Sequence, residues 1–345
     1  MSKETILMTG GAGFIGSAFV ELAVAKGHKV VVLDALTYAG HRENLDWIPQ
    51  SPGSWELVVG DIRDGALVSK LLEEHEVTWV ADFAAESHVD NSIEKPGEFI
   101  ETNVIGTYTM LEAVRRYWGG LQGAAKEKFR YLHVSTDEVY GSLGETGKFT
   151  EQSPLRPNSP YSASKAAGDM LCRAWFETYH VPVIVTNCTN NYGPRQFPEK
   201  LIPLMITKAL SGEKLPIYGD GKNIRDWIHV EDHAAGVYLA LEKGLPGETY
   251  AFGGNAEKNN IEVVDTLCMI LDELMPRTDG KSYKEQKNFV ADRPGHDRRY
   301  AIDDSKAQAV LGYRRKHDFA SGIRATVEWY LANGDWCNAV KKKAA

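Results

Sequence analysis

Short apolar runs alternate with longer helical patterns, and this alternation constrains the fold more than any other feature of the sequence. Six runs rich in β-branched residues predict strands at residues 5–9, 29–34, 55–59, 79–83, 130–135 and 183–187. Helical patterns lie between them at residues 14–26, 66–74, 96–118 and 161–179. The pattern is typical of βαβ units, so it predicts an α/β fold with a doubly wound parallel sheet. Ligands of such sheets bind beyond the carboxyl ends of the strands.

The sequence changes character after about residue 190, where proline and glycine become frequent. Helical patterns at residues 199–211, 231–243, 261–275 and 319–333 are separated by short extended pieces. We therefore divide the chain into a larger domain at residues 1–190 and a smaller mixed α/β lobe at residues 191–345. Whether a part near residues 224–252 returns to the first domain stays open. The cleft between the two parts is the expected ligand site.

The composition is that of a soluble globular protein. Apolar residues make up 43% and charged residues 25% of the 345 residues, which argues against disorder and coiled coil. The formal net charge of −8 argues against a nucleic-acid partner. No apolar run approaches the ~18 residues that a membrane span needs, so we expect a cytoplasmic protein. The cysteines show neither metal-ligand nor disulfide spacing, which predicts buried reduced thiols and no metal site at Cys172, Cys188, Cys268 and Cys337.

The first predicted strand runs directly into a glycine-rich turn and then a helix. Gly10, Gly13 and Gly16 form the pattern G-x-x-G-x-x-G, with Phe14 and Ile15 at the helix start. Such glycines permit a tight turn and a close approach of the backbone to a pyrophosphate, which the helix amino terminus then binds. The turn predicts a Rossmann-type dinucleotide site at the edge of the sheet.

The ends of the next two strands refine the cofactor prediction. Asp34 closes the second strand 18 residues after Gly16, where a carboxylate accepts a hydrogen bond from an adenosine ribose and repels a 2′-phosphate. This position favours NAD over NADP. Asp61 and Ile62 follow the third strand and are placed to hold the adenine, although Asp61 can equally be a turn residue.

A tyrosine and a lysine four residues apart open the helix at residues 161–179. Tyr161 and Lys165 share one helix face, so the ammonium is expected to favour the phenolate and to make the tyrosine a base for a hydroxyl proton. Taken alone, this spacing fits a solvent-exposed pair on the helix surface equally well. The fifth strand leads into Thr136, Asp137 and Glu138. Two adjacent carboxyl groups there suit acid and base work on neighbouring carbons, unless they form a solvated turn.

These motifs together resemble the extended short-chain dehydrogenase/reductase family. The resemblance rests on the glycine turn, the Thr136-Asp137-Glu138 run and Tyr161 with Lys165, and it covers nearly the whole chain. Further matching segments lie at residues 84–90, 187–194, 197–203, 215–219, 225–227 and 292–300. Within the family the chain is similar to the members that dehydrate nucleotide sugars. Asp137 and Glu138 distinguish these from members that epimerise or decarboxylate such sugars.

The resemblance implies an NAD-dependent hydro-lyase that converts dTDP-glucose to dTDP-4-dehydro-6-deoxy-glucose and water. In that chemistry Tyr161, assisted by Lys165, deprotonates the hydroxyl on sugar carbon 4 during oxidation by NAD. Glu138 removes the proton from carbon 5, and Asp137, in its protonated form, donates to the hydroxyl that leaves carbon 6. Return of the hydride to carbon 6 restores NAD, so the cofactor is retained as a catalyst. Thr136 holds the glucose near the tyrosine.

The resemblance also implies the remaining binding residues and an assembly. The additional cofactor-binding residues are Ala84, Ala85, Thr102, Tyr161, Lys165 and Asn190. The substrate-binding residues are Ser87, Thr136, Asn191, Lys200, Leu201, Pro216, Tyr218, Arg225, Asn260, Arg293, His296 and Tyr300. Of these, Arg225 and Arg293 can bind a pyrophosphate through bidentate hydrogen bonds, whereas His296 can equally be structural. Residues 1–190 thus become the NAD-binding Rossmann domain, and residues 191–345 the nucleotide-sugar-binding lobe. Relatives pair two subunits through a four-helix bundle, so we expect a homodimer.

Two other readings of the sequence stay open. A nucleotide-sugar 4-epimerase would use the same tyrosine and NAD but would not need the Asp137 and Glu138 carboxyl groups. A non-enzymatic NAD-sensing protein on the same fold would need neither Tyr161 nor Lys165. The choice between a dTDP-sugar and a UDP-sugar depends on a few contacts in the second lobe and is not decided by the sequence.

Overall fold

Twelve strands and twelve α-helices form the computed structural model, which describes residues 3–344. The strands are β1 (Thr5–Thr9), β2 (Lys29–Asp34), β3 (Ser54–Val59), β4 (Trp79–Asp82), β5 (Arg130–Thr136), β6 (Val183–Cys188), β7 (Asn190–Tyr192), β8 (Leu215–Tyr218), β9 (Ile224–His229), β10 (Thr249–Phe252), β11 (Glu257–Asn259) and β12 (Lys287–Val290). All six strands predicted in the first half of the sequence are present, and their ends differ from the predicted ends by one residue at most.

Seven of these strands form one sheet in the order β10-β6-β5-β4-β1-β2-β3, with every neighbouring pair parallel. The chain moves outward from β1 in one direction through β2 and β3, then crosses back to β4 and continues through β5 and β6. This reversal places a crevice beyond the carboxyl ends of β1 and β4, where doubly wound sheets bind their ligands. The predicted α/β fold with a Rossmann-type parallel sheet is confirmed.

Helices cover both faces of the sheet, so the inner strands are apolar on both sides. The helices are α1 (Phe14–Ala25), α2 (Gly65–Glu74), α3 (Val89–Glu94), α4 (Pro96–Phe99), α5 (Thr107–Gly120), α6 (Gly123–Lys128), α7 (Pro160–Tyr179), α8 (Leu201–Leu210), α9 (Val230–Lys243), α10 (Asn260–Leu274), α11 (Phe319–Ala332) and α12 (Gly334–Ala344). Along β1, Ile6 and Met8 belong to the core formed with α1 and α9, whereas Leu7 belongs to the core formed with α2, α5 and α7.

The helix predicted at residues 96–118 is interrupted. It begins as α4, continues through a π-helical segment at Ile100–Gly106 and ends as α5. Within the π-helical segment the side-chain oxygen of Asn103 accepts a hydrogen bond from the backbone N–H of Glu86 at 2.9 Å, and its amide donates to the Glu86 carbonyl at 3.0 Å. The irregular turn therefore fixes the loop after β4, which leads into the crevice.

The second part of the chain forms a smaller lobe with its own core. A three-stranded sheet in the order β11-β9-β7 and a two-stranded pair of β8 with β12 pack against α8, α10 and α11. The segment near residues 224–252 is divided between the two parts, because β9 pairs with β7 and β11, whereas α9 packs on α1 and β10 joins β6 in the large sheet. The residue boundaries proposed for the two domains stay a prediction.

The four cysteines are buried and unpaired, as expected from their spacing. A search of residues 3–344 finds no helix that is both long and apolar enough to cross a membrane.

Candidate functional site

A cleft of about 800 Å³ opens beyond the carboxyl ends of the sheet and collects most of the predicted site residues. All five residues assigned catalytic roles line it, namely Thr136, Asp137, Glu138, Tyr161 and Lys165. The residues assigned to the cofactor line it as well: Gly10, Gly13, Phe14, Ile15, Gly16, Asp34, Asp61, Ile62, Ala84, Ala85, Thr102 and Asn190. Of the predicted substrate contacts, Ser87, Asn191 and Lys200 belong to the same wall.

The glycine turn between β1 and α1 has no room for side chains. Gly10 has φ +67°, and a Cβ there would lie 2.8 Å from the backbone nitrogen of Ala84. A Cβ on Gly16 would lie 2.1 Å from the carbonyl oxygen of Gly10. Gly13 caps α1 without a side-chain hydrogen bond, so the first backbone N–H groups of that helix point to the cleft end of the sheet. This cradle fits the pyrophosphate of a dinucleotide.

Asp34 and Asp61, the two carboxyl groups predicted to hold the adenosine, both line the cleft. The carboxylate of Asp34 accepts hydrogen bonds from the backbone N–H groups of Ala12 at 2.9 Å and Leu36 at 2.8 Å. Because a carboxylate oxygen can accept two hydrogen bonds, these contacts are compatible with a ribose hydroxyl as a further donor. Asp61 is held by Arg63, whose guanidinium lowers the pKa of that carboxyl through hydrogen bonds. The residues present therefore fit NAD.

Helix α7 positions the tyrosine and the lysine. Ser159 caps the helix through a reciprocal pair of hydrogen bonds with Ser162, and Pro160 occupies the first turn, where its fixed φ suits a helix start. Tyr161 is therefore in the first turn and Lys165 one turn later on the same face. The Lys165 ammonium is buried and donates to the Val134 carbonyl oxygen at 2.8 Å.

The pKa of Tyr161 differs from the sequence-based expectation. Burial, with the facing Glu138 carboxyl as the second cause, raises the pKa of the phenol well above 10, although a hydrogen bond with Thr136 opposes the shift. Burial also lowers the pKa of Lys165. The net shift of the tyrosine pKa is thus opposite to the expected lowering, because desolvation and a second anion both act against ionisation of the phenol.

Asp137 and Glu138 begin a short 3₁₀ turn directly after β5, at Asp137–Tyr140. Asp137 is 1% exposed, and its Oδ2 atom has no hydrogen-bond partner among the described residues. Burial, followed by repulsion from Glu138, raises the pKa of Asp137 well above 3.8, which is the direction expected for a proton donor. Burial also raises the pKa of Glu138, but Arg225, Arg293 and Lys200 oppose that shift. The two neighbours therefore occupy different electrostatic surroundings.

The other predicted substrate contacts form a second group that does not line the cleft. Arg225 lies 4.2 Å from the centre of the Tyr300 ring and donates to the carbonyl oxygens of Ile224 and Asp297. Arg293 and Tyr218 both bond to Asp90, at 3.1 and 3.2 Å. This group adjoins Glu138, since the charges of Arg225 and Arg293 both act on it.

His296 is tied to its own loop by a contact of 2.6 Å between Nδ1 and the Asp292 carboxylate. Leu201 and Asn260 begin α8 and α10, and Pro216 lies in β8. None of these residues contributes to the cleft wall. Their assignment to the nucleotide stays a prediction.

The cleft has lining residues that the sequence analysis did not single out. Six of them are aromatic or acidic residues of loops and helix ends: Tyr38, Glu86, Glu98, Glu101, Phe197 and Glu199. Each lies in a loop or at a helix end, and no pattern in the sequence separates such positions from ordinary surface residues. Only Glu86, Phe197 and Glu199 belong to segments for which the resemblance was noted.

Comparisons with known proteins agree with this site. A family model described as GDP-mannose 4,6 dehydratase matches residues 7–326. A dTDP-glucose 4,6-dehydratase of Xanthomonas campestris pv. campestris is 59% identical over 338 residues, which cover 97% of this chain and 95% of that protein. The crystal structure of a dTDP-glucose 4,6-dehydratase from Streptomyces venezuelae with NAD and TYD bound matches with a TM-score of 0.88 at 45% identity, covering 97% of this chain and 99% of that one.

The fold is shared with enzymes of another activity. A UDP-glucose 4-epimerase of Thermus thermophilus, solved as a complex with NAD, matches with a TM-score of 0.81 at 31% identity, covering 95% of this chain and 99% of that one. The lower identity, together with the buried Asp137 and its neighbour Glu138, places this chain with the dehydratases. The chain belongs to the family described as GDP-mannose 4,6 dehydratase, within the extended short-chain dehydrogenases/reductases, which confirms the resemblance carried by its motifs.

Proposed function

We propose that this protein is a dTDP-glucose 4,6-dehydratase, a hydro-lyase that forms dTDP-4-dehydro-6-deoxy-glucose and water with a retained NAD. The observation that carries the proposal is the pair of adjacent carboxyl groups, Asp137 and Glu138, beside Tyr161 in one cleft. The names of the most similar relatives agree with this activity. An oxidation alone needs only the tyrosine and the lysine, whereas removal of water from two neighbouring carbons needs an acid and a base.

The site supplies a separate group for each proton transfer. Tyr161, in its phenolate form, accepts the proton from the hydroxyl on sugar carbon 4 and becomes the neutral phenol. The buried Lys165 ammonium favours the phenolate before the transfer. When bound, NAD accepts a hydride from carbon 4 and returns it to carbon 6. The ketone formed at carbon 4 acidifies the hydrogen on carbon 5, so that a carboxylate can remove it.

Asp137 and Glu138 divide the elimination between them. Glu138 is partly exposed to the cleft and faces three cations, so its ionised form is available as the base for carbon 5. Asp137 is more deeply buried and is repelled by Glu138, so it holds the proton that the hydroxyl leaving carbon 6 requires. Because the two neighbouring carboxyl groups repel each other, they titrate as a coupled pair.

The nucleotide is assigned to the second group of residues. We place its pyrophosphate against Arg225 and Arg293, because both guanidinium groups adjoin Glu138 and either can bind phosphate through two hydrogen bonds. Arg293 would then exchange its contact with Asp90 for the phosphate. Tyr218 and Tyr300 provide ring surfaces next to these arginines. Ser87, Thr136 and Lys200 line the cleft, and we assign them to the sugar.

The function is tested by incubating the purified protein with dTDP-glucose and, separately, with UDP-glucose. We expect the alkali-induced absorbance of a 4-keto-6-deoxy sugar from dTDP-glucose, with a smaller yield from UDP-glucose. Formation of the 4-epimer without a keto product would instead support an epimerase. Failure of both sugars to react, in protein loaded with NAD, would reject the enzymatic proposal and leave the NAD-sensing protein.

We also propose a cytoplasmic homodimer. Apolar side chains are exposed on α3, α5, α7 and the π-helical segment between α4 and α5, at Ile93, Ile100, Ile105, Tyr108, Met170 and Tyr179. Exposed apolar patches of this kind mark protein interfaces. Light scattering is expected to return about twice the 38.3 kDa of the chain, and Met170→Lys to shift the mass toward the monomer. A wild-type mass near that of one chain would reject the dimer.

A further inference from the structure

A chain of buried polar groups lies behind Lys165, on the side away from the cleft. The Lys165 ammonium is 3.4 Å from Nε2 of His133, and Nδ1 of His133 is 3.1 Å from Oδ2 of Asp82. His133 and Asp82 are each 1% exposed. They lie on the adjacent strands β5 and β4, paired with one another in the sheet register. Neither residue lines the cleft.

The hydrogen-bonding capacities of these groups determine where the protons lie. A lysine ammonium has three donors and no acceptor, so Nε2 of His133 must be the acceptor of the contact between them. The imidazole then carries its proton on Nδ1 and donates it to Asp82. A proton on Nε2 would instead point an N–H at the ammonium and leave two like charges or two donors in contact.

Asp82 is held in its ionised form by three donors. Thr9 donates to Oδ1 at 2.6 Å, since the Thr9 hydroxyl oxygen itself accepts from the backbone N–H groups of Phe83 and Ala84. Tyr131 donates to Oδ2 at 2.6 Å, and His133 donates to the same oxygen. Burial raises the pKa of Asp82, but the hydrogen bonds from His133, Thr9 and Tyr131 outweigh burial and keep that pKa below its usual value. Asp82 therefore provides a buried negative charge opposite the Lys165 ammonium.

We propose that His133, oriented by Asp82 and protonated on Nδ1, is a positioning residue that fixes the Lys165 ammonium at the wall of the cleft that Tyr161 also lines. The inference rests on the roles of Tyr161 and Lys165 in the proposed function. With one N–H on Val134 and a second on His133, the ammonium can rotate no further without losing a hydrogen bond. The third N–H is left for the cleft, whose wall Lys165 and Tyr161 both line.

The surrounding packing leaves little freedom to this arrangement. Gly168 lies three residues after Lys165 on α7, and a Cβ at that position would come within 2.9 Å of Nε2 of His133. The ring therefore occupies space that only a glycine provides. The titratable groups that face the Lys165 and His133 pair come from four elements: Asp82 from β4, Tyr131 from β5, Asp169 and Cys172 from α7, and Cys188 from β6.

Asp169 is the competing partner. Its Oδ1 atom is 3.9 Å from Nε2 of His133, beyond hydrogen-bond distance, and burial raises the pKa of this carboxyl. Its other oxygen accepts from the Asn187 amide at 3.2 Å. A proton on Nε2 of His133 would favour Asp169 over Lys165, so the state of this one nitrogen decides whether the lysine is held.

The first test is spectroscopic and does not depend on turnover. Two-bond ¹H–¹⁵N spectra of the uniformly labelled, deuterated full chain are compared with those of His133→Gln, so that the difference assigns the His133 ring. We expect a neutral imidazole protonated on Nδ1. A proton on Nε2, or an imidazolium, would overturn the proposal. In Asp82→Asn the Nδ1–H state is expected to lose population, because an amide can present a donor to that nitrogen.

The second test measures dTDP-glucose turnover as a function of pH. In His133→Phe we expect kcat to fall ~10²-fold, with KM changed less than ~3-fold, and the acid limb of the kcat profile to move alkaline by about one unit. His133→Gln keeps an acceptor for Lys165 and is expected to recover part of kcat. His28→Gln is the matched control, since His28 is equally buried and hydrogen-bonded at both nitrogens but lies outside the site.

The outcomes separate this inference from the proposed function. Wild-type protein that turns over no dTDP-glucose would reject the function, whereas the His133 spectrum would still decide the protonation that the inference requires. An active His133→Phe with an unshifted pH profile would reject the positioning role alone. If His133→Phe does not fold, the profile of His133→Gln and the wild-type spectrum give the same decision.

Discussion

Replacing Asp137 with asparagine separates the elimination of water from the rest of the reaction. Asparagine has the shape of the protonated aspartic acid but no proton to give to a leaving hydroxyl. General acid catalysis contributes ~10²–10⁴-fold in rate, so Asp137→Asn is expected to lose about 3–5 kcal/mol of transition-state stabilisation. Binding of dTDP-glucose and oxidation at carbon 4 do not use this proton and are expected to remain.

Asp137→Asn is not expected to lose stability, although it is expected to lose activity. Burial and Glu138 raise the pKa of Asp137 above 3.8, so the folded protein binds more protons at this position than the unfolded chain does. The free energy of unfolding therefore falls as pH rises from about 4 through the folded-state pKa. Asparagine does not titrate and avoids this loss. At pH 7 we expect Asp137→Asn to be at least as stable as wild type in urea unfolding.

The assay follows the 4-keto-6-deoxy product and the carbon 4 oxidation separately. Wild-type turnover is expected to rise with pH as the two bases, Tyr161 and Glu138, ionise and to fall as Asp137 loses its proton, which gives a bell-shaped profile. The pKa values of Asp137 and Glu138 within that profile belong to the coupled pair. A fully active Asp137→Asn would refute the acid assignment. So would loss of carbon 4 oxidation in a variant whose fold and sugar affinity are unchanged.

Three further changes test other parts of the site. Gly16→Ala places a Cβ 2.1 Å from the Gly10 carbonyl oxygen, and fluorescence titration is expected to show NAD binding weakened at least ~10-fold. Gly119→Ala is the control, because a Cβ at Gly119 has no atom within 4 Å and should leave NAD binding unchanged. Arg293→Ala removes a charged donor and is expected to raise KM for dTDP-glucose ~10–100-fold; an unchanged KM contradicts the pyrophosphate assignment. Tyr131→Phe removes a donor to Asp82 and should cost ~1.5–3 kcal/mol in urea unfolding at neutral pH. Because the pKa of Asp82 is lowered in the folded protein, ionised Asp82 stabilises the fold above its unfolded-state pKa, and this stabilisation is lost as pH falls. The loss of unfolding free energy in Tyr131→Phe should therefore become smaller in acid. A loss that does not change with pH would contradict the role of Tyr131 as a donor to ionised Asp82.

The cofactor half of the molecule could be predicted from the sequence because its signals are local. Three patterns occur in an order that is typical of a Rossmann-type cofactor site: a β-branched strand, a glycine-rich turn, and a carboxylate at Asp34 with the expected spacing from Gly16. Asp137 and Glu138 were likewise found from their position at the end of β5. The strands β7 and β11 of the second lobe have only three residues each, which is too short for any periodicity to be visible.

Other features depend on contacts between distant residues. Arg225 on β9 and Arg293 after β12 are far from Glu138 in the sequence and adjoin it only in the folded structure, so the resemblance alone suggested them. The direction of the Tyr161 pKa shift was missed because a sequence shows the helical neighbour Lys165 but not the burial of the phenol or the facing Glu138. His133 and Asp82 are polar residues within buried apolar strands. The sequence shows that each needs a hydrogen-bond partner but does not show which residue that partner is.

The most direct test of the proposed function is the fate of deuterium placed on carbon 4 of dTDP-glucose. The retained cofactor and the division of roles between Tyr161, Glu138 and Asp137 require that this label reappear in the methyl group at carbon 6 of the same sugar. Mass spectrometry of product made from a mixture of labelled and unlabelled substrate is expected to show transfer within each molecule. Label found in free reduced cofactor or in solvent, or absent from the methyl group, would contradict the account.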